Sequence, residues 1–259
     1  MKKQKKTGIA FGGGGTRGIA HIGAIRVFQE NKIEFDYIAG NSAGAIAGAL
    51  YAAGIPWQEI YDFALNIKNV LPKKKPWFSY MSPELIEKLA DYFLKDKKFS
   101  DLKKPFCAIA VDLEQGKLDT LCKGRVSKAL SASCAVPGIF QPVKISGKTY
   151  IDGGTLCSIP TQTVRDMGAE VVVGINLNAD RSKGTTSTRR LNILVTAYNL
   201  GINLNSQICE KYADIMLKPW LESYSRHSFK SIGSMLRIGE KTVNESLEDI
   251  KALMADSSD

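Results

Sequence analysis

Four consecutive glycines, residues 12–15, follow the short apolar run "TGIAF" and precede Ile19, Ile22, Ile25 and Phe28 at helical spacing. A strand must therefore hand over to a helix through backbone that carries no side chains. Bare backbone of this kind serves where a negative group has to approach the amide N–H groups closely. A nucleotide phosphate and a reaction's oxyanion both fit, and they imply different proteins. Gly13, Gly15 and Gly18 satisfy G-x-G-x-x-G, the spacing of a dinucleotide site. Such a site also wants an acidic residue at the end of the second strand, about 20 residues on. Asp36, the nearby candidate, stands at the beginning of "FDYIAG", so the cofactor reading loses its second support.

The rest of the chain alternates between strand and helix patterns. "TGIAF" is a strand, residues 16–29 a helix, "FDYIAG" a strand and "AGAIAGALYAAG" a small-residue helix ending at Gly54. Pro56 and Pro83 each suit the first turn of a further helix. "FCAIAVDL" is a third strand with "LDTLC" pairing beside it, and "RVSKALSASCAVPG" is a helix stopped by Pro137. "KTYIDGG" is a strand ending at an acidic residue, and the continuous apolar run "EVVVGINL" reads as a buried parallel strand. A long helix over residues 189–212, the short strand "ADIMLKP" and a terminal helix over residues 229–254 complete the chain. The pattern predicts an α/β fold: a mainly parallel central sheet with helices on both faces, three layers, in one domain spanning residues 1–259. Residues 183–188, "KGTTST", are the best candidate for a mobile loop.

Composition narrows the classes. The net charge is +9, which suits an anionic membrane surface, a nucleic acid, or solubility alone. Basic residues alternating with aromatics on a nucleic-acid module are missing, so no nucleic-acid partner is expected. Five irregularly spaced cysteines and two histidines argue against a zinc site, and point to reduced, mostly buried thiols in a cytosolic protein. No metal or cofactor is called for. The basic start "MKKQKK" leads into an apolar run too short for a signal-peptide core, and no stretch reaches the ~18 apolar residues of a spanning helix.

Three pieces could carry chemistry, and all are expected beyond the carboxyl ends of strands. The glycine loop is the first. The second is "GNSAG", in which Gly40, Ser42 and Gly44 give G-x-S-x-G at a strand-to-helix junction. That is the setting of a nucleophile elbow, a sharp turn flanked by small residues, with the helix N-terminus favouring negative charge beside the serine. The same residues also suit a plain serine N-cap among closely packed small residues. The third is "DGG": Asp152 ends a strand, and Gly153 and Gly154 let the chain turn into the site. A carboxylate within reach can take a serine proton directly; taken alone, it is an ordinary turn aspartate. His21, among the isoleucines of the first helix, reads as a packed histidine, and His227 has no motif around it.

Taken together, "GGGTRG", "GNSAG" and "DGG" resemble the patatin-like phospholipases in order and spacing, and "SASCAVPGIFQPV" is similar to the segment ahead of that family's aspartate. The resemblance covers residues 7–177, with a helical tail over residues 189–254 after it. It implies a Ser-Asp dyad without histidine, with Ser42 as nucleophile and Asp152 as general base. The backbone of Gly13, Gly14 and Gly15 would hold the oxyanion, and Arg17 would support the loop or add charge stabilisation. Gly18, Gly40, Gly44, Gly153 and Gly154 would be the motif glycines. The implied reaction is hydrolysis of lipid or phospholipid carboxylic esters through an acyl-enzyme. Two other classes stay open: an idle lipid-binding or regulatory module on the same fold, and a nucleotide-dependent enzyme using the glycine loop.

A lipid hydrolase must meet its substrate at an interface. Lys73, Lys74 and Lys75 directly precede Trp77 and Phe78, with Tyr80 beyond, a composition suited to peripheral contact with an anionic membrane surface. It equally suits a loop with docked aromatics and solvated lysines. Trp220 and Tyr224 form a second cluster of the same kind. Headgroup, acyl-chain length and oligomeric state are not set by the sequence.

Overall fold

The computed structural model describes residues 5–70, 82–179 and 188–255, without the side chains of Lys68 and Leu191. The Lys73 to Phe78 patch and residues 183–187 of the proposed loop lie outside the described residues. The strands are β1 (Thr7–Phe11), β2 (Tyr37–Gly40), β3 (Phe106–Asp112), β4 (Lys117–Leu121), β5 (Val143–Ile145), β6 (Lys148–Asp152), β7 (Val171–Ile175) and β8 (Ile215–Leu217). The helices are α1 (Ile19–Glu30), α2 (Ala43–Ala52), α3 (Trp57–Val70), α4 (Pro83–Leu94), α5 (Val126–Ser133), α6 (Thr161–Asp166), α7 (Arg190–Glu210), α8 (Ile232–Glu245) and α9 (Leu247–Met254). The sequence pattern misses β5 and α6, both too short for periodicity, and reads α8 and α9 as one helix where the chain breaks at Ser246. The hairpin joining β5 to β6 has a local signal after all: Ser146 and Gly147 both take positive φ, 50° and 84°, the conformation a two-residue hairpin turn requires.

The sheet order is β5-β6-β3-β2-β1-β7-β8, with β4 also paired to β3. Strands β8, β7, β1, β2 and β3 are parallel, while β4 and β6 run against β3. Alternation along the central strands divides the core. Ile9, Phe11, Ile38 and Val173 join the larger cluster with residues of α1, α2, α4, α5 and α8. Ala10, Ala39 and Val172 face the other way, onto Val164 of α6 and Cys209 of α7. Helices therefore cover both faces, as a buried parallel sheet requires.

The register on β3 fixes where the site forms. Ala108 pairs with Gly40 of β2 and with Leu121 of β4, and Ala110 pairs with Asp119 of β4 and Asp152 of β6. Since β4 fills one edge of β3, β2 and β6 must share the other. Running in opposite directions, they point their carboxyl ends at each other across Ile109. Asp152 thus ends a strand as expected, one that runs antiparallel to β3 and comes down to meet β2.

The same β3–β4 register brings Cys107 opposite Cys122, with Cα atoms 4.5 Å apart and a disulfide between them. That close approach is the spacing of a non-hydrogen-bonded antiparallel pair. The expectation of uniformly reduced thiols fails for this pair, because antiparallel register aligns cysteines that are fifteen residues apart. Cys134, Cys157 and Cys209 are free.

Candidate active site

Ser42 occupies the joint between β2 and α2 at φ 52° and ψ −123°, a left-handed backbone that non-glycine residues rarely adopt. Its surroundings hold it there. The Ser42 N–H donates to Ser133 Oγ of α5 at 2.9 Å, and the Asn41 N–H donates to the Phe11 carbonyl at 3.1 Å. Gly44 has to be glycine, since a Cβ there would strike the carbonyl oxygens of Phe11 and Gly12. The elbow is thereby pressed onto the end of β1.

Asp152 is 1% exposed. Its Oδ1 accepts the Gly154 N–H at 2.7 Å, and Oδ2 closes no hydrogen bond. Burial pushes its pKa up from 3.8 to about 6, against the pull of Gly154 and the neighbouring Ser42, Tyr198 and Asn41 side chains, which favour the anion. None of the three closes a hydrogen bond to Oδ2 in this structure. Apo sites commonly show such loose catalytic contacts, which tighten around substrate. The free thiol of Cys134 is also beside Ser42 and Asp152, and burial pushes its pKa up.

The glycine loop faces this pair. A Cβ built on Gly13 would lie 2.7 Å from Asn41 Nδ2 and 3.4 Å from Ser42 Cβ, so the loop backbone runs directly past the serine. The three loop amides differ in availability. The Gly13 N–H donates to the Ser158 carbonyl at 2.9 Å. Those of Gly14 and Gly15 have no acceptor among the described residues. Gly15 takes φ +58°, and any Cβ there would strike the Arg226 carbonyl. Arg17 is buried; its Nε donates to the Tyr224 carbonyl at 2.8 Å and its NH1 group to the Leu177 carbonyl at 3.3 Å. Thr16 completes the clamp, its N–H donating to the Arg226 carbonyl at 3.0 Å and its hydroxyl to the Ser225 carbonyl at 2.8 Å. Of the motif glycines, Gly18 abuts Ala43, Gly40 abuts Gly44 and Ala45, and Gly153 abuts Asn41 and Ile109.

His21 is the packed histidine expected. It is fully buried, its Nε2 lies 2.8 Å from the Gly12 carbonyl, it meets Phe11 edge-on, and burial lowers its pKa to about 4. His227 lines the mouth of the cavity, its pKa lowered by burial and by Arg226 and Arg17. Neither is among the groups that set the state of Asp152.

Asn41, Ser133 and Tyr198 escape a reading by motif. Asn41 sits inside "GNSAG" and Ser133 inside "SASCAVPG", so small buried polar residues beside the elbow were the available signal. Tyr198 comes from α7, where nothing local marks it. A cavity of about 250 Å³ opens from Ser42 and runs between α2, α3 and α4, walled by Ile46, Leu50, Ile60, Ile86 and Phe93.

Comparison with known proteins gives the family. The model of the family described as patatin-like phospholipase matches residues 9–165. The chain belongs to the patatin-like phospholipase family. Among its relatives is an uncharacterised NTE family protein of Mycobacterium tuberculosis (strain H37Rv), 30% identical over 185 residues, covering 68% of this chain and 50% of the relative. Patatin-like phospholipase domain-containing protein 7 of Rattus norvegicus is 29% identical over 181 residues, covering 66% of this chain and 13% of its own length. The chain thus spans half or less of these curated relatives. In fold it is similar to the crystal structure of VipD from Legionella pneumophila, with a TM-score of 0.56 at 12% identity, covering 96% of this chain and 67% of that one. The matched family segment holds the elbow and the aspartate. Tyr198 and the clamp of residues 224–228 lie beyond it.

Proposed function

We propose that this chain is a serine acyl hydrolase that cleaves carboxylic esters of lipids or phospholipids through a Ser42-Asp152 dyad. The observation that carries the reading is the head-on meeting of β2 and β6, which sets a strained serine beside a buried carboxylate with one open oxygen. Asp152 Oδ2 takes the proton as Ser42 Oγ attacks the ester carbonyl. The negative charge that develops on the carbonyl oxygen is received by the Gly14 and Gly15 amides, aided by the N-terminus of α2. The proton passes to the departing alcohol or lysophospholipid oxygen, leaving an acyl ester on Ser42. Water, deprotonated by Asp152, then releases the fatty acid. The apolar walls of the cavity suit an alkyl chain and not a phosphate, which favours an ester over a nucleotide as occupant. Arg17 supports the loop through backbone carbonyls.

Peripheral contact with an anionic bilayer fits the net charge of +9. It also fits the outer face of α7, where Ile193, Leu194, Leu200, Leu204 and Ile208 are exposed and residues 193–209 carry no charge. No helix among the described residues is long and apolar enough to cross a membrane. The reading is tested by a panel of phospholipids, lysophospholipids and short esters, with products identified by mass. Fatty acid release by the wild type and its loss in Ser42→Ala are expected; equal release by both proteins would refute the assignment.

A further inference from the structure

The phenol of Tyr198 reaches the base from a helix outside the family-matched segment. A Cβ built on Gly154 would be 2.8 Å from the Tyr198 hydroxyl, 3.0 Å from Asp152 Oδ1 and 3.1 Å from Asn41 Nδ2. The three polar groups therefore ring one bare glycine directly behind the carboxylate. Helix α7 is pinned in this register by independent contacts. Asn205, seven residues on and so on the same face, accepts the Ser158 N–H at 2.9 Å and donates to the Gly154 carbonyl at 2.8 Å. One turn further, Cys209 Sγ lies 3.3 Å from Cys157 Sγ.

We propose that Tyr198 is a positioning residue for Asp152, donating its hydroxyl to the carboxylate so that the base stays ionised and aimed at Ser42. The inference rests on the dyad reading above. Burial and the adjacent carboxylate push the Tyr198 phenol well above its ordinary value, so it keeps its proton and can donate it to the carboxylate. Thr155 beside it pulls the phenol the other way, downward. The groups facing Asp152 are Cys134 from α5, Tyr198 from α7, and Ser42, Asn41 and the Gly154 N–H from the two loops. His227 and Arg226 line the mouth of the same cavity. Of the titratable groups beside the carboxylate, Tyr198 favours its anion, while Cys134, held protonated by burial and by that anion, adds no charge.

The test compares wild type with Tyr198→Phe, which removes one oxygen and preserves the ring. The Asp152 carboxyl is titrated by carbon NMR, and kcat/KM for a soluble butyrate ester is followed from pH 5 to 9. A hydrogen bond to a charged group is worth about one to two pH units of titration midpoint. The expected result is a rise of about one unit in both the carboxyl midpoint and the acid limb, cutting kcat/KM about fivefold at pH 6 with the alkaline plateau largely kept. An unmoved carboxyl midpoint overturns the hydrogen bond. A moved midpoint with an unmoved limb, or a lost plateau with the limb in place, overturns the positioning role. If the wild type hydrolyses no ester, the dyad reading fails by itself, and the NMR titration still decides the hydrogen bond.

Discussion

Asp152, the base in the proposed dyad, shows what a buried carboxyl costs the molecule that carries it. Its pKa is about 6 in the folded state against 3.8 for an ordinary aspartate. Below 3.8 the carboxyl is protonated whether folded or not, and it has no effect on the balance. As the pH rises toward 6 the unfolded chain ionises first, so the group draws stability away, and the full loss is present at pH 7. Asp152→Asn should therefore be inactive yet more stable than wild type at pH 7, on the order of 2–3 kcal/mol, with the two nearly equal at pH 4. Denaturant unfolding at both pH values checks this, and an advantage that does not grow with pH would contradict it. If Asp152 is the base, the same carboxyl should set the acid limb of wild-type kcat/KM near pH 6. Ser42 adds a second cost at φ 52°, held by Ser133 from α5.

At the scale of elements, the tail packs on the motif-bearing half through α1 and α8. A Cβ on Gly239 of α8 would strike the Ala20 carbonyl of α1, and one on Gly23 of α1 would strike the Leu236 carbonyl of α8. Arg26 fastens the pair to Glu240 at 2.8 Å. Gly239→Ala should lower stability by roughly 1–3 kcal/mol through overpacking, seen as a lower Tm; an unchanged Tm would show that the helices can part without loss. Elements of this kind divide what was legible in the sequence from what was not. The elbow, the glycine loop and the aspartate turn announce themselves because a strand-to-helix joint constrains neighbouring residues. The antiparallel approach of β6 does not, since "KTYID" alternates identically whichever way it runs. The Cys107–Cys122 pairing was hidden for the same reason: it follows from β3–β4 register. Tyr198 and Asn205 lie on an amphipathic stretch where a tyrosine and an asparagine look like any others, and only the packing of α7 on the Gly153-Gly154 turn gives them a task.

For the whole molecule, the site is a place where two directions of chain meet. The parallel half of the sheet delivers Ser42 and the glycine loop, and the antiparallel hairpin delivers Asp152. The tail closes the back with Tyr198 and clamps the loop through Thr16 and Arg17. Covering the cavity with α3 and α4 leaves an apolar channel that ends at Ser42. On the proposed reading Ser42 is the nucleophile and Asp152 the group that activates it. That reading is tested most directly by treating the intact protein with a fluorophosphonate and locating the adduct by peptide mass. One adduct per chain is expected, on Ser42, forming slower by about a hundredfold or more in Asp152→Asn, in the lower range typical of general-base loss (~10²–10⁴). An adduct on another residue, or labelling of Asp152→Asn at the wild-type rate, would contradict it.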